Sequence, residues 1–139
     1  MKRALFDSDV LLDVLAQRQP FVVASAQALN TVMQQQVQGY VSGHAVTNLF
    51  YILRRQLGSG AARNLLLTLL QQIQVASVTD AVVRSALQSS IADFEDAVTS
   101  EAAFAAGLEV IVTRNISDFV ASSVPAMRPE EFLTTLSEL

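Results

Sequence analysis

The sequence has no cysteine and only one histidine. It has a single lysine, Lys2; the other bases are arginines. Without cysteine there is no disulfide, no thiolate metal site and no cysteine nucleophile, a composition compatible with a cytosolic protein. With one histidine, His44, no conventional histidine pair for hydrolysis can form; His44 starts a predicted helix and reads as structural. With one lysine and a net charge of −4, a broad lysine-rich nucleic-acid surface is excluded. Nucleic-acid contact would need a local arginine patch, or metal ions bridging phosphates to carboxylates. No apolar run approaches the roughly 20 residues that span a bilayer. The N-terminal apolar run is broken by Asp7 and Asp9, so it does not read as a secretory signal. The expectation is a soluble, cytoplasmic protein with no membrane segment.

Disorder is excluded by a hydrophobic content of 51% against 16% charged residues. The 139 residues fit a single domain, 1–139, with a substantial core. Short apolar runs alternate with helical patterns. Strands are predicted at 3–6, 39–42, 75–78 and 109–113, and a short extended piece lies between Pro125 and Pro129. Helices are predicted over 9–17, from Pro20 to about Gln36, and over 44–57, 61–73, 81–89 and Phe94–Ala106, with a last one from near Glu130. Thr79 or Asp80 can cap the helix at 81–89. Gly107 occupies the usual glycine position after a helix. Tyr40, Phe50, Tyr51 and Phe104 fit core positions better than base-stacking platforms. The alternation implies an α/β fold, a mainly parallel sheet with helices on both faces. In such folds the site lies outside the carboxyl ends of the strands.

Three segments bring polar residues to that edge. Asp7 directly follows the first strand, with Asp9 two residues on. Thr113, Asn115 and Asp118 follow the strand "EVIV". Asp93 and Asp96 open the helix leading into that strand, within "IADFEDAV" at 91–98. Oxygen-rich clusters of this kind suit Mg²⁺ or Mn²⁺, and metal-assisted phosphodiester hydrolysis is the chemistry they support. Each acid also has a plainer role. Asp7 or Asp9 could cap the first helix. Asp93 suits a cap, with Asp96 in an acidic variant of the capping box. Asp118 could cap a helical turn or lie in solvent. Glu95, about 100° around the helix from Asp96, points toward solvent.

Taken together, "LFDSDVLLDVL", "VSGHAVTNLFYILRR" and "DFEDAVTSEAAFAAGLEVIVTRNISDF" resemble the PIN domain family, whose best-known members are the VapC-type toxin ribonucleases. The resemblance runs over nearly the whole chain. It implies a three-layer α/β/α sandwich and an acidic pocket that binds Mg²⁺ or Mn²⁺ and cleaves RNA. By position, Asp7, Asp96 and Asp118 match the family's acids, with Asn115 beside the last. Asn48 stands where the family's glutamate is expected, and Asp9 where many relatives have asparagine. Asn48, Asp9 and Asn115 are therefore the further metal-ligand candidates. Thr113 could position water or phosphate, and Arg114 could hold an RNA phosphate or simply lie at the surface. The resemblance also implies an antitoxin partner and a homodimer, for which "NLLLTLLQQI" offers either a dimer face or buried core.

Two other functions fit parts of the pattern. "LFDSDVLLD" resembles the start of haloacid-dehalogenase-type phosphatases. Those enzymes use a downstream Lys or Arg, whereas Lys2 precedes the strand. A degenerate PIN domain that binds RNA or protein without cleaving is the second alternative, motivated by Asn48.

Overall fold

The computed structural model describes residues 1–138. Five strands form one sheet: β1 (Lys2–Phe6), β2 (Val37–Ser42), β3 (Gln74–Ala76), β4 (Val110–Val112) and β5 (Ala126–Met127). Their order is β3-β2-β1-β4-β5, and every pairing is parallel. Parallel neighbours need crossover connections, which here are helical. The helices are α1 (Ser8–Leu15), α2 (Val22–Met33), α3 (Gly43–Leu57), α4 (Ser59–Leu69), α5 (Asp80–Leu87), α6 (Phe94–Ala105) and α7 (Pro129–Ser137). A 3₁₀ turn spans Ile116–Phe119.

Side-chain alternation along the strands separates two apolar cores. Ala4 and Phe6 of β1, Val37 and Val41 of β2, and Val110 and Val112 of β4 face one core, with Leu11, Leu29, Leu49, Leu66 and Phe132 from the helices. Leu5, Tyr40 and Ile111 face the other, with Val82, Ala86, Val98 and Ala102 from α5 and α6. This is the expected three-layer sandwich, with every strand pairing parallel.

Local signals placed most helix ends. The Thr79 hydroxyl accepts from the Val82 N–H at 3.2 Å, capping α5. The Asp93 carboxylate accepts from the Asp96 N–H at 3.0 Å, capping α6. Gly107 follows α6 at φ +69°, a left-handed value that glycine adopts without penalty. The helix expected from Pro20 begins at Val22, and the one expected from residue 61 begins at Ser59.

The aromatic expectation holds for Tyr40, which is 7% exposed, and Phe50 is half-buried. It fails for Tyr51 and Phe104, which are 52% and 61% exposed. Tyr51 lies on the outer side of α3 under the Arg54 guanidinium. Phe104 belongs to α6, whose inward residues are mostly Ala, Ser and Thr. A helix so poor in large apolar residues carries little periodicity to mark its buried face.

Gly39 sits in β2 where α2 closes on the sheet. A Cβ there would lie 2.8 Å from Val32 Cγ2 and 2.9 Å from Ile73 Cγ2. Gly39→Ala is expected to destabilise the protein by about 1–3 kcal/mol through overpacking. A lowered urea midpoint at unchanged slope would confirm it.

Candidate active site

From β1 the chain moves to β2 and β3 on one side, then returns to β4 and β5 on the other. The strand order reverses between β1 and β4, which opens a crevice beyond their carboxyl ends. Asp7 is the first residue after β1, and its N–H donates to the Val112 carbonyl at 2.9 Å. Thr113 is the first residue after β4, and its N–H donates to the Met127 carbonyl at 2.9 Å. The first of these contacts joins residues more than a hundred positions apart.

The Thr113 hydroxyl, fully buried, donates to Asp7 Oδ2 at 2.9 Å. Asp7 Oδ1 accepts from the Ser8 N–H at 2.9 Å. Asp9 Oδ2 accepts from the Arg114 N–H and from Asn115 Nδ2, each at 3.1 Å, while its Oδ1 accepts from the Val10 N–H. Asp7, Asp9, Thr113 and Asn115 therefore form one hydrogen-bonded group.

Arg114 lies in this group through its backbone, but its side chain turns elsewhere. Its Nε and Nη2 donate to the two carboxylate oxygens of Asp13 at 2.8 and 3.2 Å. Ser25 Oγ also donates to Asp13, at 3.0 Å. Asp13 is fully buried, so this clamp satisfies a charge that would otherwise be costly. The phosphate-holding role expected for the Arg114 guanidinium therefore competes with a bidentate partner. Sequence reasoning missed Asp13. Its signal was an acid on the apolar face of α1, beside Val10, Leu11 and Leu12, where an unpaired carboxylate is almost never found.

Asp96, half-buried at the third position of α6, lines a cavity of about 470 Å³ with Asp93, Ser117, Asp118 and Val120. Asp118 is exposed on the 3₁₀ turn. Asn48 lines a different cavity with His44, Phe94 and Glu95. There its Nδ2 donates to Glu95 Oε2 at 3.1 Å. Glu95 is exposed, as expected, yet engaged. His44 pairs its Nδ1 with Ser42 Oγ at 2.6 Å, in keeping with a structural role. Lys2 opens β1, at the far end of the strand from Asp7, which leaves the phosphatase alternative without its lysine.

Like charges crowded at a partly buried strand edge resist ionisation. Burial first, then the Asp9 charge and more weakly that of Asp96, push Asp7 up to about 7, against hydrogen bonds from Thr113 and Ser8 that pull it down. Burial and the charges of Asp93, Asp118, Glu95 and Asp9 raise Asp96 to about 6. Burial raises Asp9 as well, against the N–H groups of Arg114 and Val10. Among the described residues, no three Asp, Glu or His side chains form a ready-made metal centre. The donors are nonetheless carboxylate, hydroxyl and amide oxygens, a set that suits Mg²⁺ or Mn²⁺ with water completing the shell. Their mutual repulsion is what a divalent cation would relieve.

The chain belongs to the PIN domain family, whose sequence model matches residues 3–117. No curated protein matches significantly. Several solved structures share the fold at low identity. VapBC2 from Rickettsia felis, bound to a DNA fragment from its promoter, superposes with a TM-score of 0.70 at 10% identity, covering 91% of this chain and 98% of that one. A toxin–antitoxin complex from Klebsiella pneumoniae does so at 0.68 and 20% identity, covering 91% and 97%. VapC20 from Mycobacterium tuberculosis, a toxin that cleaves the sarcin–ricin loop, gives 0.63 at 14% identity, covering 78% and 86%.

The Asp7 shift has a consequence for stability. Its folded-state pKa lies above the unfolded value of 3.8, so ionisation penalises the fold. That penalty is absent below the unfolded pKa and grows as pH rises toward 7. Asp7→Asn, in chelator at pH 8, is expected to stabilise the protein by on the order of 2–4 kcal/mol. The gain should shrink steadily toward pH 4. Thermal denaturation of both proteins across this range measures it.

Proposed function

We propose that this PIN domain is a Mg²⁺- or Mn²⁺-dependent endoribonuclease, the toxin of a toxin–antitoxin pair. The observation that carries the reading is the electrostatic link between Asp7 and Asp96. Far apart in sequence, they lie close enough for the Asp96 charge to add to the rise of Asp7, and burial and neighbouring carboxylates push the two up to about 7 and about 6. Pockets with this electrostatic signature are where functional acids concentrate.

Asp7, Asp96 and Asp118 are the residues that would hold the cation, with Asp9, Asn115 and Asn48 as outer candidates. A divalent ion there supplies an activated water and charge neutralisation at the phosphoryl oxygens. The chain's own part is positioning. Thr113 locks the Asp7 carboxylate from one side and the Ser8 N–H from the other. Arg114 and Asn115 hold Asp9 in the same way. An RNA substrate is supported by the sarcin–ricin loop cleavage of VapC20. An antitoxin partner is supported by the VapBC complexes among the structural relatives. A homodimer follows from the same reading. The exposed Leu67 and Tyr51 beside the groove between α3 and α4 offer apolar area for a protein contact, and light scattering reports the oligomeric state.

Asn48 favours one other reading, a PIN domain that binds without cleaving, because an amide stands where the family's glutamate is expected. Two measurements separate the two. Asp96→Asn is expected to lower Mn²⁺-dependent cleavage of an RNA panel at least about a hundredfold, as loss of a charge-stabilising group does. Equal cleavage by both proteins would refute the site. Calorimetric titration with Mn²⁺ is expected to show binding that Asp7→Asn abolishes. A flat titration at millimolar metal would favour the non-cleaving reading.

A further inference from the structure

Phe21 stands between α1 and α2, 41% exposed, and three linked contacts fix it beside the acidic crevice. The Arg114 guanidinium carbon lies 3.8 Å from the centre of its ring, a close stacking contact. That guanidinium cannot swing away, because Asp13 clamps it through two hydrogen bonds. The Phe21 carbonyl accepts from the Ser25 N–H at 3.1 Å, and the Ser25 hydroxyl donates to the same Asp13. Ring, arginine and buried acid form one rigid unit. The same Arg114 donates its backbone N–H to Asp9, so the ring is one side chain away from the acidic group.

We propose that Phe21 is a base-stacking residue that positions a nucleotide of single-stranded RNA next to the acidic site. Resting on the ribonuclease reading, this assigns a substrate-recognition role to a residue outside the acids. An aromatic face accepts any base, and its contribution is largest when it is held rigid before the substrate arrives. The buried Asp13–Arg114 pair supplies that rigidity. The net negative chain offers few cations for the RNA backbone, which raises the share of affinity that stacking must carry. Arg114 then supports the platform from behind and leaves phosphate contact to other groups.

The chain contains no tryptophan, so Phe21→Trp introduces a single reporter. In an Asp96→Asn background, a mixed-sequence single-stranded RNA oligonucleotide is expected to quench its emission saturably. Inorganic polyphosphate, which carries charge without bases, is expected to leave it unchanged. Phe21→Ala and Phe21→Leu should each weaken oligonucleotide binding by about five- to a hundredfold, with Phe21→Tyr close to the parent. The leucine variant keeps apolar volume while removing the π face, so it separates stacking from packing. Circular dichroism confirms that each variant is folded. If RNA binds and is cleaved but neither emission nor affinity responds to changes at Phe21, the stacking role is overturned and the nuclease reading stands. Quenching of a Phe94→Trp reporter instead would move the base to the exposed ring two residues before Asp96 and also overturn it. If the parent neither binds nor cleaves RNA, the nuclease reading falls and this proposal with it.

Discussion

The pairing of β1 with β4 is the constraint on which the site depends. These strands lie side by side although about a hundred residues separate them, and their ends deliver Asp7 and Thr113 to one spot. The pairing is held by apolar contacts on both faces of the sheet, from Ala4, Leu5 and Phe6 on one strand and Val110, Ile111 and Val112 on the other. The crevice opens at the edge of that core, so burial against it reaches Asp7 and Asp9. Acids placed there lose hydration that their few N–H and O–H partners only partly replace. The same packing that stabilises the sheet thus makes the carboxylates at its edge hard to ionise.

Asp13 and Arg114 illustrate the opposite treatment of buried charge. Here burial is complete for the acid, yet both of its oxygens are satisfied, by a guanidinium fork and by the Ser25 hydroxyl. Such a pair adds little net stability against an apolar replacement, and losing one partner is costly. Its contribution is geometric. It ties α1, the start of α2 and the segment after β4 together, directly behind Asp9. The satisfied pair and the repelling acids lie side by side, one fixing the frame and the other holding unrelieved charge.

Much of this was legible in the sequence because it rests on local signals. Strand–helix alternation gave the sheet and its layers. Caps at Thr79 and Asp93 and the glycine at 107 gave helix ends to within about two residues. Asp7, Asp9, Thr113 and Asn115 could be grouped because parallel folds put strand ends on one edge. The Asp13–Arg114 clamp was not legible, since nothing local says which distant arginine meets a buried acid. The outward positions of Tyr51 and Phe104 were missed for another reason. A large apolar residue counts toward the core in any composition-based reading, but its face is set by neighbours. In α6 those neighbours are too small to reveal it.

The start of α6 shows why capping and site chemistry cannot be assigned to separate residues. Asp93 accepts the Asp96 N–H and so fixes the first turn, which aims the Asp96 side chain into its cavity. The same Asp93 charge is the second cause, after burial, of the raised Asp96 pKa. A neutral cap such as serine would satisfy the N–H equally well without that electrostatic effect. Glu95, between them, adds to the repulsion while its carboxylate accepts from Asn48. An amide in α3 is a better neighbour for this crowded turn than a further carboxylate would be. The asparagine at 48 therefore has a structural reason on this chain: it ties α3 to the start of α6 and adds no charge to a helix end already carrying three acids.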